Sequence, residues 1–114
     1  EAAIWSAVWI SVALLFNLMT TGGRESAYRS DGHNRFTIRQ MLVPIEQTVR
    51  LCNMEYLPPY IIYGTHWMAD ADFDAAAQRY RGLLTALHDD QLDLSDLSRY
   101  ETFNEALGEV GAQR

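Results

Sequence analysis

Apolar residues run almost unbroken from Ala2 to Met19, interrupted only by Ser6, Ser11 and Asn17. Residues 10–19 read as one central strand, apolar on both faces, as under a doubly covered parallel sheet. The run 2–16 is shorter than the ~20 residues a membrane span needs, and it lacks the basic leader of a signal peptide. Its Trp5, Val8, Trp9, Ile10 and Val12 favour extended structure, so a buried strand or sheet-packed segment is expected there. The strand stops at Thr20-Thr21-Gly22-Gly23. Residues 20–36 then form a loop of the length that is usually functional. From Ile38, apolar residues recur at helical spacing (Met41, Leu42, Ile45, Val49, Cys52), which predicts a helix over 37–53. Thr37 or Asn34 is its cap and Asn53 its stop. Pro44 should kink it or restart it as a second segment.

Tyr56-Leu57-Pro58-Pro59 leads into a β-branched and aromatic strand, Tyr60-Ile61-Ile62-Tyr63, which Gly64 ends. Residues 70–88 form a second amphipathic helix, with Phe73, Ala76, Ala77, Tyr80, Leu84 and Leu87 assigned to the core. Asp70 or Asp72 caps it. The tail is acidic and weakly periodic. Leu92, Leu94 and Leu97 are expected to pack back on the body, and a short helix is expected near Thr102–Gly108. The order strand–loop–helix–strand–helix is a βαβα unit, so the fold class is α/β with a parallel sheet. Three segments follow: an apolar leader 1–14, the α/β part 15–88, and the tail 89–114.

With 114 residues, the chain makes one domain at most. Its net charge of −6 is lopsided. Five acids and five arginines cancel within residues 1–69, while ten acids and four arginines in residues 70–114 supply the whole excess. That balance argues against nucleic acid, which needs a basic footprint. Cys52 is the only cysteine. This excludes an intrachain disulfide and favours the cytoplasm. Its place on the apolar stripe marks it as a buried structural thiol. Asp70, Asp72 and Asp74 have calcium-loop spacing but lack the glycine such a loop needs, so no metal site is assigned.

The chemistry concentrates at the first strand's end. Ligands of open α/β sheets sit in the crevice beyond the strands' carboxyl ends. Gly22 and Gly23 let backbone approach a flat ligand closely. Thr20 and Thr21 offer donors and acceptors to its polar edge. Tyr28 and His33 place two proton-handling groups in the same loop. Thr65 and His66 follow the second strand as the threonines follow the first. Arg24, Arg29, Arg35 and Arg39 suit a nucleotide phosphate, or else are a solvated loop face. Trp5, Trp9 and Trp67 are assigned to core or interface.

Ordered along the chain, Thr20-Thr21-Gly22-Gly23, Glu25-Ser26-Ala27-Tyr28, Gly32-His33, Met41–Thr48, Leu51–Met54, Leu57-Pro58-Pro59 and Gly64-Thr65-His66 carry a resemblance over Leu15–Leu87. This stretch resembles the flavodoxin-like NAD(P)H:quinone oxidoreductases, especially the ancillary flavoproteins of glutathione-regulated potassium efflux systems. The resemblance implies the C-terminal part of a flavodoxin-like domain, truncated on its N-terminal side. It further implies bound FMN or FAD at the sheet's carboxyl edge, with Thr20, Thr21, Gly22 and Gly23 lining the isoalloxazine. Tyr28 and His33 would stabilise charge as hydride arrives from NAD(P)H, and a quinone would be the acceptor. A homodimer, a potassium efflux membrane protein as partner, and a cytoplasmic place peripheral to the inner membrane face are implied too. No G-x-G-x-x-G or other phosphate-binding glycine loop occurs. Two alternatives therefore stand beside the enzyme: a non-catalytic flavodoxin-like fragment or interaction module, and a peptide anchored in a membrane by residues 2–19.

Overall fold

The computed structural model describes residues 13–108. Trp5, Trp9 and residues 1–12 of the leader expected over 1–14 lie outside them. The single strand expected over 10–19 is two short ones, β1 (Leu14–Leu15) and β2 (Leu18–Thr20). Each pairs in parallel with a partner from the second half, β3 (Glu55–Tyr56) and β4 (Tyr60–Ile62). Leu14 faces Glu55, an offset of 41, whereas Leu18 faces Tyr60, an offset of 42. One extra residue is therefore taken up at Leu57-Pro58-Pro59, where the two prolines have no N–H to donate. Asn17 bridges the break. Its carbonyl accepts from Tyr60 N–H at 2.8 Å and its Oδ1 accepts from the Tyr56 hydroxyl at 2.7 Å.

Side chains of the second strand alternate between two cores, as a period of two requires. Tyr60 is buried with Leu57, Leu83, Leu97 and Phe103, and Ile62 packs against that group. Ile61 and Tyr63 are buried with Ile38 and Leu42 on the other face. The helices α1 (Ile38–Met41) and α2 (Val43–Leu51) cover this second face. Thr37 caps α1 with a capping box to Gln40. The chain restarts as α2 at Leu42, with Pro44 in the first turn where its missing N–H costs nothing. Asn53 stops the segment with φ of 56°.

The long helix α3 (Asp70–His88) has the predicted bounds. Asp72 accepts the Ala69 N–H at 2.8 Å, so the second aspartate is the capping arm. Its buried line differs from the predicted one. Ala76 and Leu83 are buried, with Tyr80 and Leu87 packed beside them, whereas Phe73 and Leu84 are 44 and 41% exposed. Residues 73, 77 and 84 fall on a neighbouring stripe that the single layer beneath the helix does not reach. Cys52 likewise is exposed rather than buried. It lies just past the end of α2, beside Leu51, which is also exposed.

The tail folds onto the body through α4 (Leu94–Leu97) and α5 (Phe103–Ala106). Leu97 and Phe103 are buried in the first core, and Phe103 meets Phe16 edge-on with centroids 5.4 Å apart. Asn104 finishes the sheet. Ile61 N–H donates to Asn104 Oδ1 at 2.9 Å and Asn104 Nδ2 donates to Ile61 O at 2.8 Å. The backbone of Ile61 faces away from β2, so this carboxamide stands where a further strand would pair. Phe103 N–H adds a bond to Pro59 O at 2.8 Å.

Arg39 ties α1, α2 and β3 to the tail. It meets Glu46 of α2 at 3.3 Å, lies over the Tyr56 ring at 5.1 Å, and donates to Glu101 O at 3.3 Å. The hydrogen bond from Arg39 holds the Glu46 carboxyl below its ordinary value of 4.5 against the opposing effect of burial, with help from Arg50.

Asn104→Ala leaves a buried N–H and C=O of Ile61 unpaired, and a loss of about 2–3 kcal/mol is expected in urea unfolding. Asn104→Asp should cost at least as much, because a carboxylate oxygen then faces the Ile61 carbonyl. A lowered carboxylate pKa gives stability that is complete above pH 4.5 and disappears as the pH falls through the lowered value. Glu46→Gln should therefore lower stability at pH 7 by about 0.5–1 kcal/mol and by progressively less as the pH falls below 4.5, as measured by denaturation across that range.

Candidate functional site

Because β2 and β4 are parallel, their carboxyl ends emerge at one edge, and the turns that follow are stapled together. The pairing continues past the strands. Thr21 N–H donates to Ile62 O at 2.9 Å, Thr65 N–H and Oγ1 donate to Thr21 O at 3.0 and 3.1 Å, and Gly64 N–H donates to Gly23 O at 2.9 Å. Gly64 adopts φ of 71°, which lets the short 3-10 turn Thr65–Trp67 fold back beside the first turn.

Within this double turn, Thr20 is exposed and Thr21 is buried. The Thr21 hydroxyl donates to Gly23 O at 2.9 Å, so its proton shapes the turn itself. Two carbonyls of the turn, Thr21 O and Gly23 O, are thus occupied. The amides of Gly22 and Gly23 donate to no acceptor among the described residues. Two adjacent N–H groups on half-buried glycines are a ready donor pair for a polar edge.

Tyr28 is brought to this turn. A Cβ built on Gly23 would lie 3.3–3.4 Å from the Tyr28 ring and hydroxyl. Behind it stands Tyr63, with centroids 6.0 Å apart. Burial first, then the negative charge of Glu25 and Glu105, pushes the Tyr63 phenol well above its ordinary value of 10, so it stays protonated. Tyr28 and Tyr63 also line a cavity of about 530 Å³ with Glu25, Arg29, Glu101 and Glu105. This cavity lies behind Tyr28 and does not include the glycine turn.

His33 is exposed, in the returning arm of the loop. Among the described residues no hydrogen bond or ring contact joins it to Tyr28 or the glycines. The nearer imidazole is that of His66, packed against Gly22. Its only sequence signal was the repetition of a threonine after a strand end. Trp67, assigned to core or interface, is 60% exposed, and the Arg24 guanidinium sits 4.7 Å from its ring centroid. Of the four loop arginines, Arg39 is engaged in the fold as described above, and Arg29 is exposed beside the cavity. No group of three metal-ligating side chains comes together among the described residues.

Gly32 holds the loop in shape. Its N–H donates to Arg29 O, and a Cβ there would lie 2.3 Å from Ser26 O and 2.9 Å from Ala27 O. Those are backbone atoms that cannot rotate aside. Gly32→Ala should cost about 1–3 kcal/mol and disturb Tyr28, seen as a lower melting temperature and shifted Tyr28 resonances. Gly82→Ala, in open space on α3, should stabilise by about 0.5–1 kcal/mol in the same melts.

Among the described residues no helix is long and apolar enough to cross a membrane. Comparison with known proteins bears on the whole arrangement. General stress protein 14 of Bacillus subtilis (strain 168) is 36% identical over 61 residues, 54% of this chain. The glutathione-regulated potassium-efflux system ancillary protein KefG of Salmonella paratyphi B is 36% identical over 64 residues, 56% of this chain, and that of Salmonella newport matches equally. The matched stretch spans only 35% of the length of each of these relatives. No solved structure matches. The family model described as flavodoxin-like fold matches residues 15–84, which includes Leu15 of β1, all of β2, β3 and β4, both turns and most of α3. The chain therefore belongs to the flavodoxin-like family.

Proposed function

We propose that this chain carries the ring-contacting part of a flavin-dependent NAD(P)H:quinone oxidoreductase. The observation that carries the reading is the free amide pair of Gly22 and Gly23 beside Tyr28, at the carboxyl edge of a parallel sheet. The fit to a flavin is chemical. Glycines without a Cβ let a flat ring come close to the backbone, and two N–H donors suit its carbonyl and nitrogen edge. Thr20 and Thr21 would border that edge, and Tyr28 would stand beside it. When bound, the flavin supplies the two-electron chemistry, from NAD(P)H to a quinone.

This chain's residues orient the ring and respond to its charge. The Gly22 and Gly23 amides favour negative charge at the polar edge, as preorganised donors do. Tyr28 offers a hydroxyl to the same end, and His33, from the same loop, serves as the proton-handling group of the reading. FMN and FAD both satisfy this half of the site, because their difference lies beyond the ring. The likeness to KefG supports a potassium efflux protein as partner. A homodimer, with a cytoplasmic place against the membrane's inner face, goes with that assignment.

A second reading is a flavodoxin-like interaction module without catalysis. One observation favours it: the described residues hold no glycine-rich cradle for the flavin phosphate. Titration of free FMN and FAD with the purified chain separates the two. Quenching of flavin fluorescence, with a yellow protein after gel filtration, is expected for the oxidoreductase. Undiminished free fluorescence for both flavins sinks it and leaves the module. In a flavin-loaded form, Tyr28→Phe and His33→Ala should each slow reduction by NAD(P)H about tenfold or more in stopped flow, with flavin affinity changed less than about threefold. Unaltered rates remove the residue concerned from the chemistry.

A further inference from the structure

We propose that His66 is a positioning residue of this site, holding the Gly22–Gly23 amides toward the ligand; the proposal rests on the flavin reading above. A Cβ built on Gly22 would lie 2.3 Å from His66 Nε2 and 2.6 Å from Cδ2. The imidazole therefore occupies the volume that any other residue at position 22 would claim. On its other side the ring meets Trp67 nearly perpendicular, at 85° with centroids 6.1 Å apart. Arg24, the residue after the glycines, lies over that same indole. The two turns thus grip each other through side chains as well as through backbone.

Each group of the first turn is held by a different contact. Its carbonyls are taken by Thr65 and Gly64, Gly23 is backed by Tyr28, and Gly22 is backed by His66. The two N–H groups donate to no acceptor among the described residues. A glycine has little conformational preference of its own. Fixing its direction from outside spares a ligand the cost of ordering it. His66 is exposed, and the backbone bonds of Thr65 and Gly64 already join the turns. The fold therefore does not need the imidazole, whereas orientation of the amides does. Nε2 also brings a polar atom to the edge that the amides serve.

The geometry makes Gly22→Ala and His66→Ala equivalent. The new Cβ displaces the ring, which can swing into solvent, and so removes the same support. FMN titration, followed by fluorescence quenching and the visible spectrum of the bound flavin, should be run on the parent chain, both single variants and the double variant. Each single variant should bind FMN about three- to tenfold more weakly, with an altered bound-flavin spectrum, and the double no more weakly than either. His66→Gln, which keeps a polar group on that side, should recover affinity to within about twofold of the parent. Apo melting temperatures should stay within about 2 °C across the set, since an exposed ring adds little stability. In the apo chain the Gly22 amide resonance should move in His66→Ala. Parent-like affinity in His66→Ala, or losses that multiply in the double variant, overturn the role of His66 while leaving the flavin reading intact. A parent chain that quenches no flavin overturns the flavin reading and this proposal with it.

Discussion

The register between Met19 and Ile61 is the constraint on which the rest depends. Parallel strands that pair residue for residue must also end together, so the chain leaves both at one edge. The two turns can then share backbone bonds, and the carbonyls of Thr21 and Gly23 are consumed in doing so. The amides of Gly22 and Gly23 are left without an acceptor among the described residues. The extra residue at Leu57-Pro58-Pro59 selects this register. Without it the offset of β1–β3 would persist, and every side chain of Tyr60–Tyr63 would change faces. Tyr60 would leave the Phe103 core, and Tyr63 would no longer stand behind Tyr28.

The sheet is finished on one side, and on the other no further strand pairs among the described residues. Along β4, the Asn104 carboxamide answers the one residue whose backbone faces outward. Along β1 and β2, Leu14 and Leu18 remain about two-fifths exposed. The acidic half of the chain has its place in this asymmetry. Its tail carries Phe103 and Asn104 to the sheet edge, while the carboxylates of Glu101 and Glu105 stay at the surface, beside the cavity behind Tyr28. Arg39 then joins the two halves through Glu46 and the Glu101 carbonyl.

Local signals were legible in the sequence, and their partners were not. Helix 70–88, the restart at Pro44 and the stop at Asn53 follow from caps and fixed dihedrals within a few residues of each event. The strand ending at Gly64 was visible from its β-branched run. Periodicity, however, marks a stripe and not the layer that covers it. Phe73, Leu84 and Cys52 were assigned to a core because their spacing fits, yet only Ala76 and Leu83 meet a neighbour broad enough to bury them. Asn104 gave no signal, since a polar residue in a four-residue helix has no pattern and its partner lies 43 positions away. The same division holds at the candidate site. The bare turn and Tyr28 were readable from one loop, but the contact of His66 with Gly22 exists only once two strands pair.

The turn's energetics explain why it is built for direction. Two amide hydrogen bonds contribute about 1–3 kcal/mol together, less than the roughly 4 kcal/mol of a millimolar complex. Even with a flat ring packed against the glycines, the greater part of a tight flavin complex must come from contacts beyond the ring's polar edge. What these residues supply is a fixed direction for charge. Both amides belong to a turn that is tied through the Thr21 and Gly23 carbonyls, so little reorganisation accompanies a change of charge on whatever accepts from them. A donor pair that contributes little to affinity but stays in place can favour the more negative of two states of the same ligand, and that difference is what a redox site requires.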